Sequence, residues 1–324
     1  MYIVTGGAGF IGSALVWKLN SIGITDILIV DALGSSDKWK NLSSLRFTDF
    51  LHKDDFLQML ISETMPDGIE GVFHLGACSS TTERNADYLL QNNYRYSCLL
   101  ARWTLSKKIR FLYASSAATY GDGSSGYSDD HDSLFQLRPQ NIYGYSKHLF
   151  DLFALRRGYL DHCAGIKFFN VYGPNEYHKG DMSSVIYKAF HQIHETGTLK
   201  LFRSYRDDFA DGEQKRDFIF VKDCVEVLWW LFEHKNANGL FNLGTGKART
   251  WNDLAAAVFS AMKRPVKIEY IDMPESIRDR YQYFTEARME KLRQAGYTEP
   301  FTSLEDGVED YVRNYLARGP AHLG

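Results

Sequence analysis

A glycine array near the amino terminus constrains the fold of this chain more than any other feature. It reads Thr-Gly-Gly-Ala-Gly-Phe-Ile-Gly over residues 5–12, after the apolar run 2–4 and before apolar residues at helical spacing. This order predicts a strand, a tight turn and a helix. Gly6, Gly9 and Gly12 let backbone amides approach a pyrophosphate at the positive end of that helix. Because Asp31 follows Gly12 by 19 positions, at the end of the next apolar run, the array predicts a dinucleotide site.

Strands and helices are expected to alternate along the rest of the chain. Apolar runs predict strands at 27–30, 71–75, 109–114 and 165–171, with helices over 87–105 and 143–160. Two later runs, 217–221 and 239–243, are typical of strands that return to the same sheet, with a helix over 225–233 between them. Connections of this βαβ kind build a parallel sheet.

The predicted fold class is therefore α/β. It consists of a Rossmann-type doubly wound parallel sheet and a smaller mixed α/β substrate-binding lobe on the carboxyl-terminal side. We expect the dinucleotide-binding domain to cover 1–171 with 217–243, and the substrate-binding domain to cover 172–216 with 244–324. The polar stretch 206–215 is expected to be an exposed loop.

Composition excludes several classes of protein. Hydrophobic residues make up 44% of the 324 positions, enough for a substantial core. The formal net charge is -3, with scattered Lys and Arg, which argues against nucleic acid as a partner. No apolar run approaches the ~20 residues that span a bilayer, so we expect no membrane association and a cytoplasmic location. The four cysteines are far apart without a CxxC pair, which fits neither a zinc site nor a disulfide framework.

A second motif predicts acid-base chemistry. Tyr143 and Lys147 are four residues apart, so they share one face of the predicted helix. The positive charges of Lys147 and of an oxidised nicotinamide ring favour the phenolate form of Tyr143, which removal of a hydroxyl proton requires. Ser115 and Ser116 end the preceding strand, at the edge where open parallel sheets bind ligands. They point in opposite directions, so only one of them is expected to face a substrate.

The choice between NAD and NADP is left open by spacing alone. Asp31 favours NAD, because a carboxylate repels a 2′-phosphate. Lys38 and Lys53 follow in the segment expected near the adenosine, where ammonium groups can offset that repulsion by contacting the phosphate. From the sequence alone, solvated surface positions are the favoured interpretation of both lysines.

Four runs in this sequence resemble the extended short-chain dehydrogenases that act on nucleotide sugars. They are TGGAGFIG at 5–12, SSAATYG at 115–121, YGYSK at 143–147 and FNVYGP at 169–174. Within that group, GACSSTT at 76–82 and YHKGDM at 177–182 resemble the 6-epimerases of ADP-linked heptose, which serve lipopolysaccharide core biosynthesis. This resemblance implies inversion of C6 by transient oxidation, an ADP-heptose substrate and a homo-oligomer, with a homopentamer as the specific expectation.

The resemblance also implies roles for individual residues. Tyr143 and Lys179 are then the two acid-base residues, Lys147 holds the cofactor ribose, and Ser116 binds the substrate oxygen. NADP becomes the expected cofactor rather than NAD. Beside the glycine array, cofactor contacts are implied at Phe10, Ile11, Asp31, Ala32, Lys38, Lys53, Leu75, Gly76, Ala77, Cys78, Ser79, Asn92, Lys147 and Val171. Further substrate contacts are implied at Asn170, Asp181, Lys188, Phe202, Arg203, Ser204, Tyr205, Arg216 and Tyr281.

Two other functions are compatible with parts of this pattern. A UDP-hexose 4-epimerase shares the Ser-Tyr-Lys group and differs in the substrate lobe. A non-catalytic dinucleotide-binding regulatory protein shares the fold, but has no physical need to retain Ser116, Tyr143 and Lys147 together. A 4,6-dehydratase is disfavoured, because Ala117 and Ala118 stand where that chemistry needs an additional acid and base.

Overall fold

The main sheet contains seven parallel strands. A computed structural model describes residues 1–278 and 281–324. The strands of the main sheet are β1 (Tyr2–Thr5), β2 (Ile27–Asp31), β3 (Asp49–His52), β4 (Gly71–His74), β5 (Arg110–Ser116), β6 (Ala164–Phe168) and β10 (Gly239–Leu243). Their spatial order is β10-β6-β5-β4-β1-β2-β3, and every neighbouring pair is parallel. The order reverses between β1 and β4, which makes the carboxyl ends of these strands the expected ligand site.

Helices cover the sheet and build the rest of the chain. The α-helices are α1 (Phe10–Ser21), α2 (Lys53–Ile61), α3 (Ala86–Leu89), α4 (Tyr96–Ser106), α5 (Ile142–Arg156), α6 (Val185–Thr196), α7 (Val221–Glu233), α8 (Trp251–Ala261), α9 (Glu275–Arg278), α10 (Glu290–Gln294) and α11 (Leu304–Asp310). Short 3₁₀ turns occur at Asp37–Leu42, Ala117–Tyr120, His131–Gln136, Tyr159–Asp161, Tyr177–Met182 and Leu316–Arg318. Two π-helical turns, Leu90–Arg95 and Tyr311–Tyr315, complete the set for the described residues.

Burial explains which strands could be predicted from the sequence. All residues of β1, β2, β4, β6 and β10 are buried, because helices cover both faces of the sheet. Such strands appear in the sequence as continuous apolar runs. The edge strand β3 has no such run: Asp49 and His52 at its ends are exposed and only its middle is half-buried. This strand was absent from the sequence prediction for that reason.

A small second sheet corrects the predicted topology. It consists of β7 (Asn170–Tyr172), β9 (Lys215–Phe220) and β11 (Ala248–Thr250), in the order β11-β9-β7. The prediction that 217–221 returns to the main sheet is wrong, because β5 and β10 occupy the two sides of β6 and β9 pairs instead with β7. The predicted strand 165–171 is likewise divided, and the chain passes between the two sheets at Phe169.

A third sheet has two strands from the later part of the chain. It pairs β8 (Leu199–Phe202) with β12 (Ile268–Ile271) in parallel. No helix in 1–278 or 281–324 has both the length and the apolar character needed to cross a membrane.

Candidate active site

A cleft of about 1540 Å³ opens where the main sheet reverses its strand order. Its walls include the glycine turn after β1, the residues that follow β4 and the end of β5. Strand β9 contributes Arg216 and Phe218, the first residue of α8 contributes Trp251, and the irregular segment after β12 contributes Tyr281. The cleft therefore extends from the expected nucleotide-binding edge of the main sheet to the second sheet and the start of α8.

The glycine turn is shaped for a pyrophosphate. Gly6 has a φ of 68°, and a Cβ there would lie 2.6 Å from the Cα of Gly76. A Cβ on Gly12 would lie only 2.0 Å from the carbonyl oxygen of Gly6. Helix α1 is capped by Gly9 without a side-chain hydrogen bond, and its first turn has no acidic residue. Its amino-terminal amides are thus available to an anion, and the turn fits the cofactor that the sequence predicted.

Asp31 lies at the end of β2, where the adenosine ribose is expected. Its Oδ2 accepts a hydrogen bond from the Ala8 amide at 2.9 Å, and its Oδ1 accepts one from the Ala32 amide at 2.7 Å. The Nζ of Lys38 donates to the same Oδ1, also at 2.7 Å. The carboxylate is therefore paired with a cation inside the cleft, where both side chains form part of the wall.

The turn after β4 forms another part of the nucleotide side. Leu75, Gly76, Ala77, Cys78 and Ser79 all line the cleft, and so does Val171 from β7. The Asn93 side chain holds this turn, since it accepts from the Cys78 amide and donates to the Cys78 carbonyl oxygen, both at 2.9 Å. Asn93 lies in the π-helical turn 90–95, which turns its side chain toward the cleft wall.

Three predicted cofactor residues lie outside the cleft wall. Ala32 donates its amide to the Asp31 carboxylate and does not line the cleft. Lys53 and Asn92 pair with each other, with the Lys53 Nζ donating to the Asn92 Oδ1 at 2.7 Å. These two residues contact a nucleotide only if it extends beyond the described wall of the cleft.

The Tyr143, Lys147 and Ser116 side chains meet in the cleft. Helix α5 begins at Ile142, after Asn141 accepts a hydrogen bond from the Gly144 amide at 2.8 Å. Tyr143 and Lys147 follow one turn apart on the face that lines the cleft. The Lys147 Nζ donates to the Ala114 carbonyl oxygen at 2.8 Å, which ties the helix to the end of β5.

Burial is the main cause of the pKa shift of the Tyr143 phenol. Removal from water raises this pKa, and a hydrogen bond from Ser116 only partly opposes the effect. Burial also lowers the pKa of the Lys147 amine to about 8, against the opposing charge of Asp151. The phenolate form therefore depends on the positive charge that an oxidised nicotinamide ring would add, as the sequence prediction already required.

The structure separates the roles of the two serines at the end of β5. Both serines border the cleft, but Ser115 is buried, and its Oγ donates to Asp151 Oδ2 at 2.8 Å. Ser116 has its Oγ near the phenol of Tyr143 and accepts from the Ala118 amide at 3.1 Å. Since the hydroxyl of Ser115 is engaged by the protein, Ser116 is the one available to a substrate oxygen.

A second basic group reaches the cleft from a different segment. Lys179 lies in the turn Tyr177–Met182, and its Nζ is 5.2 Å from the centre of the Phe10 ring at the start of α1. Burial lowers the pKa of this amine, Lys188 lowers it further, and the buried carboxylate of Glu176 opposes both effects. A lysine with a lowered pKa is suited to proton transfer near neutral pH.

The predicted substrate residues divide into two groups. Asn170, Arg216 and Tyr281 line the cleft. The Arg216 guanidinium is stacked on the rings of Trp251 and Tyr281, at 5.6 and 5.3 Å, and donates to the carbonyl oxygens of Lys215 and Gln282. The other group lies outside the described cleft wall and consists of Asp181, Lys188, Phe202, Arg203, Ser204 and Tyr205.

Sequence reasoning missed several residues that line the cleft. His178 precedes Lys179 and lies there with a pKa lowered to about 4, chiefly by burial. Ser36, Trp251 and Gln282 also form part of the wall. His178 was within a run that the resemblance had already singled out, whereas nothing local marks Trp251 or Gln282. Within 1–278 and 281–324, no group of three or more His, Cys, Asp or Glu residues is arranged to hold a metal.

Comparison with known proteins identifies the class. The family model described as "NAD dependent epimerase/dehydratase family" matches residues 2–244. The chain belongs to this family, whose cofactor is a nicotinamide dinucleotide, and the family resemblance seen in the sequence is confirmed.

Individual relatives narrow the comparison. The chain is 61% identical over 323 residues to the ADP-L-glycero-D-manno-heptose-6-epimerase of Nitratidesulfovibrio vulgaris strain Hildenborough, with 100% of both chains covered. It is 48% identical over 332 residues to the enzyme of the same name from Fusobacterium nucleatum, again with full coverage of both. Among solved structures, the Helicobacter pylori ADP-L-glycero-D-manno-heptose-6-epimerase has a TM-score of 0.81 at 27% identity, covering 97% of this chain and 95% of that one.

Proposed function

We propose that this protein inverts C6 of the heptose in ADP-D-glycero-D-manno-heptose to give ADP-L-glycero-D-manno-heptose. The reaction is redox-neutral overall and serves lipopolysaccharide core biosynthesis in the cytoplasm, with the protein acting as a homo-oligomer. Relatives that match the full chain at 61% and 48% identity, both named for this activity, support the substrate. The residues of the cleft support the chemistry.

The observation that carries the proposal is that two side chains able to exchange a proton, from separate elements, line one cleft. Tyr143 comes from α5, and Lys179 comes from the turn after β7. Inversion moves the C6 oxygen to a different position, which a single fixed side chain cannot serve equally well in both epimers. Two groups on different elements meet this requirement, one for each epimer.

The protein's residues have distinct roles in this mechanism. Tyr143 exchanges a proton with the C6 hydroxyl of one epimer, and Ser116 donates a hydrogen bond to the same oxygen. Lys179 exchanges the proton of the other epimer. Lys147 holds the cofactor ribose and supplies positive charge beside the phenol. A bound nicotinamide would supply reversible hydride exchange, and its positive oxidised ring would lower the cost of forming a phenolate at the buried Tyr143.

Incubation of the purified protein with ADP-D-glycero-D-manno-heptose tests the proposal. We expect conversion to the C6 epimer without added oxidant or reductant, and an equilibrium mixture of both epimers from either starting compound. UDP-glucose is the matched control, and we expect little or no C4 epimerisation of it. Turnover of UDP-glucose alone would assign the chain to the 4-epimerases, and no turnover of either compound would support a non-catalytic dinucleotide-binding protein.

NADP is the cofactor that we propose. A bare carboxylate at Asp31 would repel a 2′-phosphate, but the Lys38 ammonium contacts that carboxylate at 2.7 Å and lines the cleft with it. Lys38 can therefore pair with the phosphate while it neutralises Asp31. Ser36 in the same wall offers a hydroxyl donor.

Replacing Lys38 with Ala is expected to weaken NADP binding roughly tenfold, equivalent to about 1.4 kcal/mol, and to leave NAD binding nearly unchanged. The physical reason is the loss of one charge-assisted contact to the 2′-phosphate. Fluorescence titration of the nucleotide-free protein with each cofactor measures the difference. Lys40→Ala is the matched control, because Lys40 pairs with the exposed Asp37 at 2.8 Å on the same turn. Equal losses for both nucleotides in Lys38→Ala would argue against the NADP assignment.

A further inference from the structure

A buried ion pair lies directly behind the proposed catalytic residues. The Lys167 Nζ on β6 is 2.6 Å from the Asp151 Oδ2 on α5, and both side chains are 0% exposed. Buried pairs of this kind are expensive to desolvate, and apolar replacements are often as stable or more so. Stability is therefore a weak explanation for the presence of this pair.

Hydrogen bonds connect the pair to the residues of the cleft. Asp151 accepts from the Ser115 Oγ at 2.8 Å, next to Ser116. The Lys167 Nζ also donates to the Thr119 Oγ1 at 2.7 Å, and Thr119 in turn donates to the Ser116 carbonyl oxygen at 2.8 Å. The end of β5 is thus held from two sides, which fixes the backbone that presents the Ser116 hydroxyl.

Asp151 is also the nearest carboxylate to Lys147 along the helix. Tyr143, Lys147 and Asp151 are spaced four residues apart, so their side chains lie along one face of α5. The charge of Asp151 raises the pKa of the Lys147 amine and opposes the effect of burial. The pair therefore bears on the charge state of Lys147 as well as on the position of Ser116.

The other titratable groups around this pair are neutral near neutral pH. Burial lowers the pKa of His74 on β4 to about 3 and lowers that of His148 on α5. Burial raises the pKa values of Tyr113 on β5 and of Tyr120, and it raises that of Cys163, just before β6, to about 12. Within the described part of the chain, Asp151 is thus the charge that acts on Lys147 from behind, and Lys167 is paired with that carboxylate.

We propose that Asp151 and Lys167 are positioning residues for the C6 epimerisation: they hold Ser116 in place and together set the net charge that Lys147 experiences. This inference rests on the proposed function. It predicts that the two members of the pair have opposite electrostatic effects on the reaction, although neither touches the substrate.

The pH profile of kcat distinguishes this role from a purely structural one. Asp151→Asn removes a negative charge, so the Lys147 ammonium loses its proton at lower pH and the alkaline limb moves to lower pH by about one unit. Lys167→Met removes a positive charge, and we expect the limb to move to higher pH. The double variant loses both charges, and its profile is expected to return toward that of the wild-type protein. KM for the nucleotide sugar is expected to change less than twofold.

Asp310→Asn is the control for removal of a carboxylate from an ion pair elsewhere. Asp310 contacts the Lys222 Nζ at 2.8 Å, and neither residue lines the cleft. We expect its pH profile to match that of the wild-type protein. Ser115→Ala is a second comparison, because it removes one hydrogen bond to Asp151 and leaves both charges in place, so its alkaline limb is expected to stay unchanged.

Opposite shifts in the two single variants support the proposal. Shifts in the same direction, or active variants with the wild-type profile, overturn it. If Asp151→Asn does not fold, Lys167→Met and the double variant decide by the same criterion: the first must shift to higher pH and the second must not. Absence of C6 epimerisation by the wild-type protein would instead refute the proposed function, so the two failures are distinguishable.

Discussion

Tyr143→Phe is expected to lower kcat for C6 epimerisation by about 10³-fold while the nucleotide cofactor stays bound. The substitution removes only the phenol oxygen from a side chain that lines the cleft beside Ser116. The ring remains, so the packing of α5 and the contact between Lys147 and the Ala114 carbonyl oxygen at 2.8 Å are preserved. Steady-state assays in both directions, together with the amount of nucleotide released on denaturation, measure the two effects.

Lys179→Met provides the comparison that tests the two-base form of the mechanism. The methionine side chain can keep the contact with the Phe10 ring, which the Lys179 Nζ approaches to 5.2 Å, but it cannot exchange a proton. We expect a similarly large loss of kcat. The ratio of the losses in the two reaction directions is expected to differ from the ratio in Tyr143→Phe. An unchanged rate in both directions for Lys179→Met would eliminate the second base, and full activity of Tyr143→Phe would remove the phenol from the mechanism.

Gly12→Ala is expected to weaken nucleotide binding roughly 100-fold, equivalent to about 2.7 kcal/mol. The new Cβ would lie 2.0 Å from the Gly6 carbonyl oxygen and 2.7 Å from its carbon, so the turn must move away from α1. Since the amides of that turn are the proposed pyrophosphate ligands, the displacement removes them from position. We also expect a loss in the free energy of unfolding of about 2 kcal/mol from overpacking, measurable by urea denaturation.

Gly23→Asn is the matched control for this substitution. Gly23 follows the same helix with a φ of 85°, and a Cβ there would meet no atom within 4 Å. Asparagine tolerates this left-handed conformation better than most residues do, so we expect nucleotide affinity to be unchanged. Retention of wild-type affinity by Gly12→Ala would mean that the glycine turn does not bind the pyrophosphate.

The sequence predicted features that depend on near neighbours. The glycine turn is defined by residues 5–12, where spacing and the absence of side chains determine which backbone can approach a phosphate. Tyr143 and Lys147 are one helical turn apart in any α-helix. The buried strands are recognisable in the sequence as apolar runs, because both of their faces are covered. The edge strand β3 had no such run, since its two end residues are exposed and its two middle residues are only half-buried.

Other features of the site depend on partners that are distant in sequence. Ser115 and Ser116 were equivalent by position, and only the family resemblance favoured Ser116; Asp151, 36 residues further on, engages the Ser115 hydroxyl. The contact of Lys179 with the Phe10 ring and the stacking of Arg216 on Trp251 are likewise long-range. The predicted return of 217–221 to the main sheet failed for the same reason, because strand pairing depends on which sheet edges remain open.

The features of this protein therefore divide into those that its sequence determined and those that depend on its tertiary structure. Its sequence alone determined the dinucleotide-binding turn, the α/β fold class and the Tyr-Lys pair, because backbone sterics and helical periodicity act over a few residues. Only the tertiary structure decided which serine hydroxyl is held by a buried carboxylate, how Asp31 is neutralised and in which direction the pKa of Tyr143 is shifted. Those properties depend on burial and on the placement of distant charges, and a desolvation energy exists only once the chain has folded around the group.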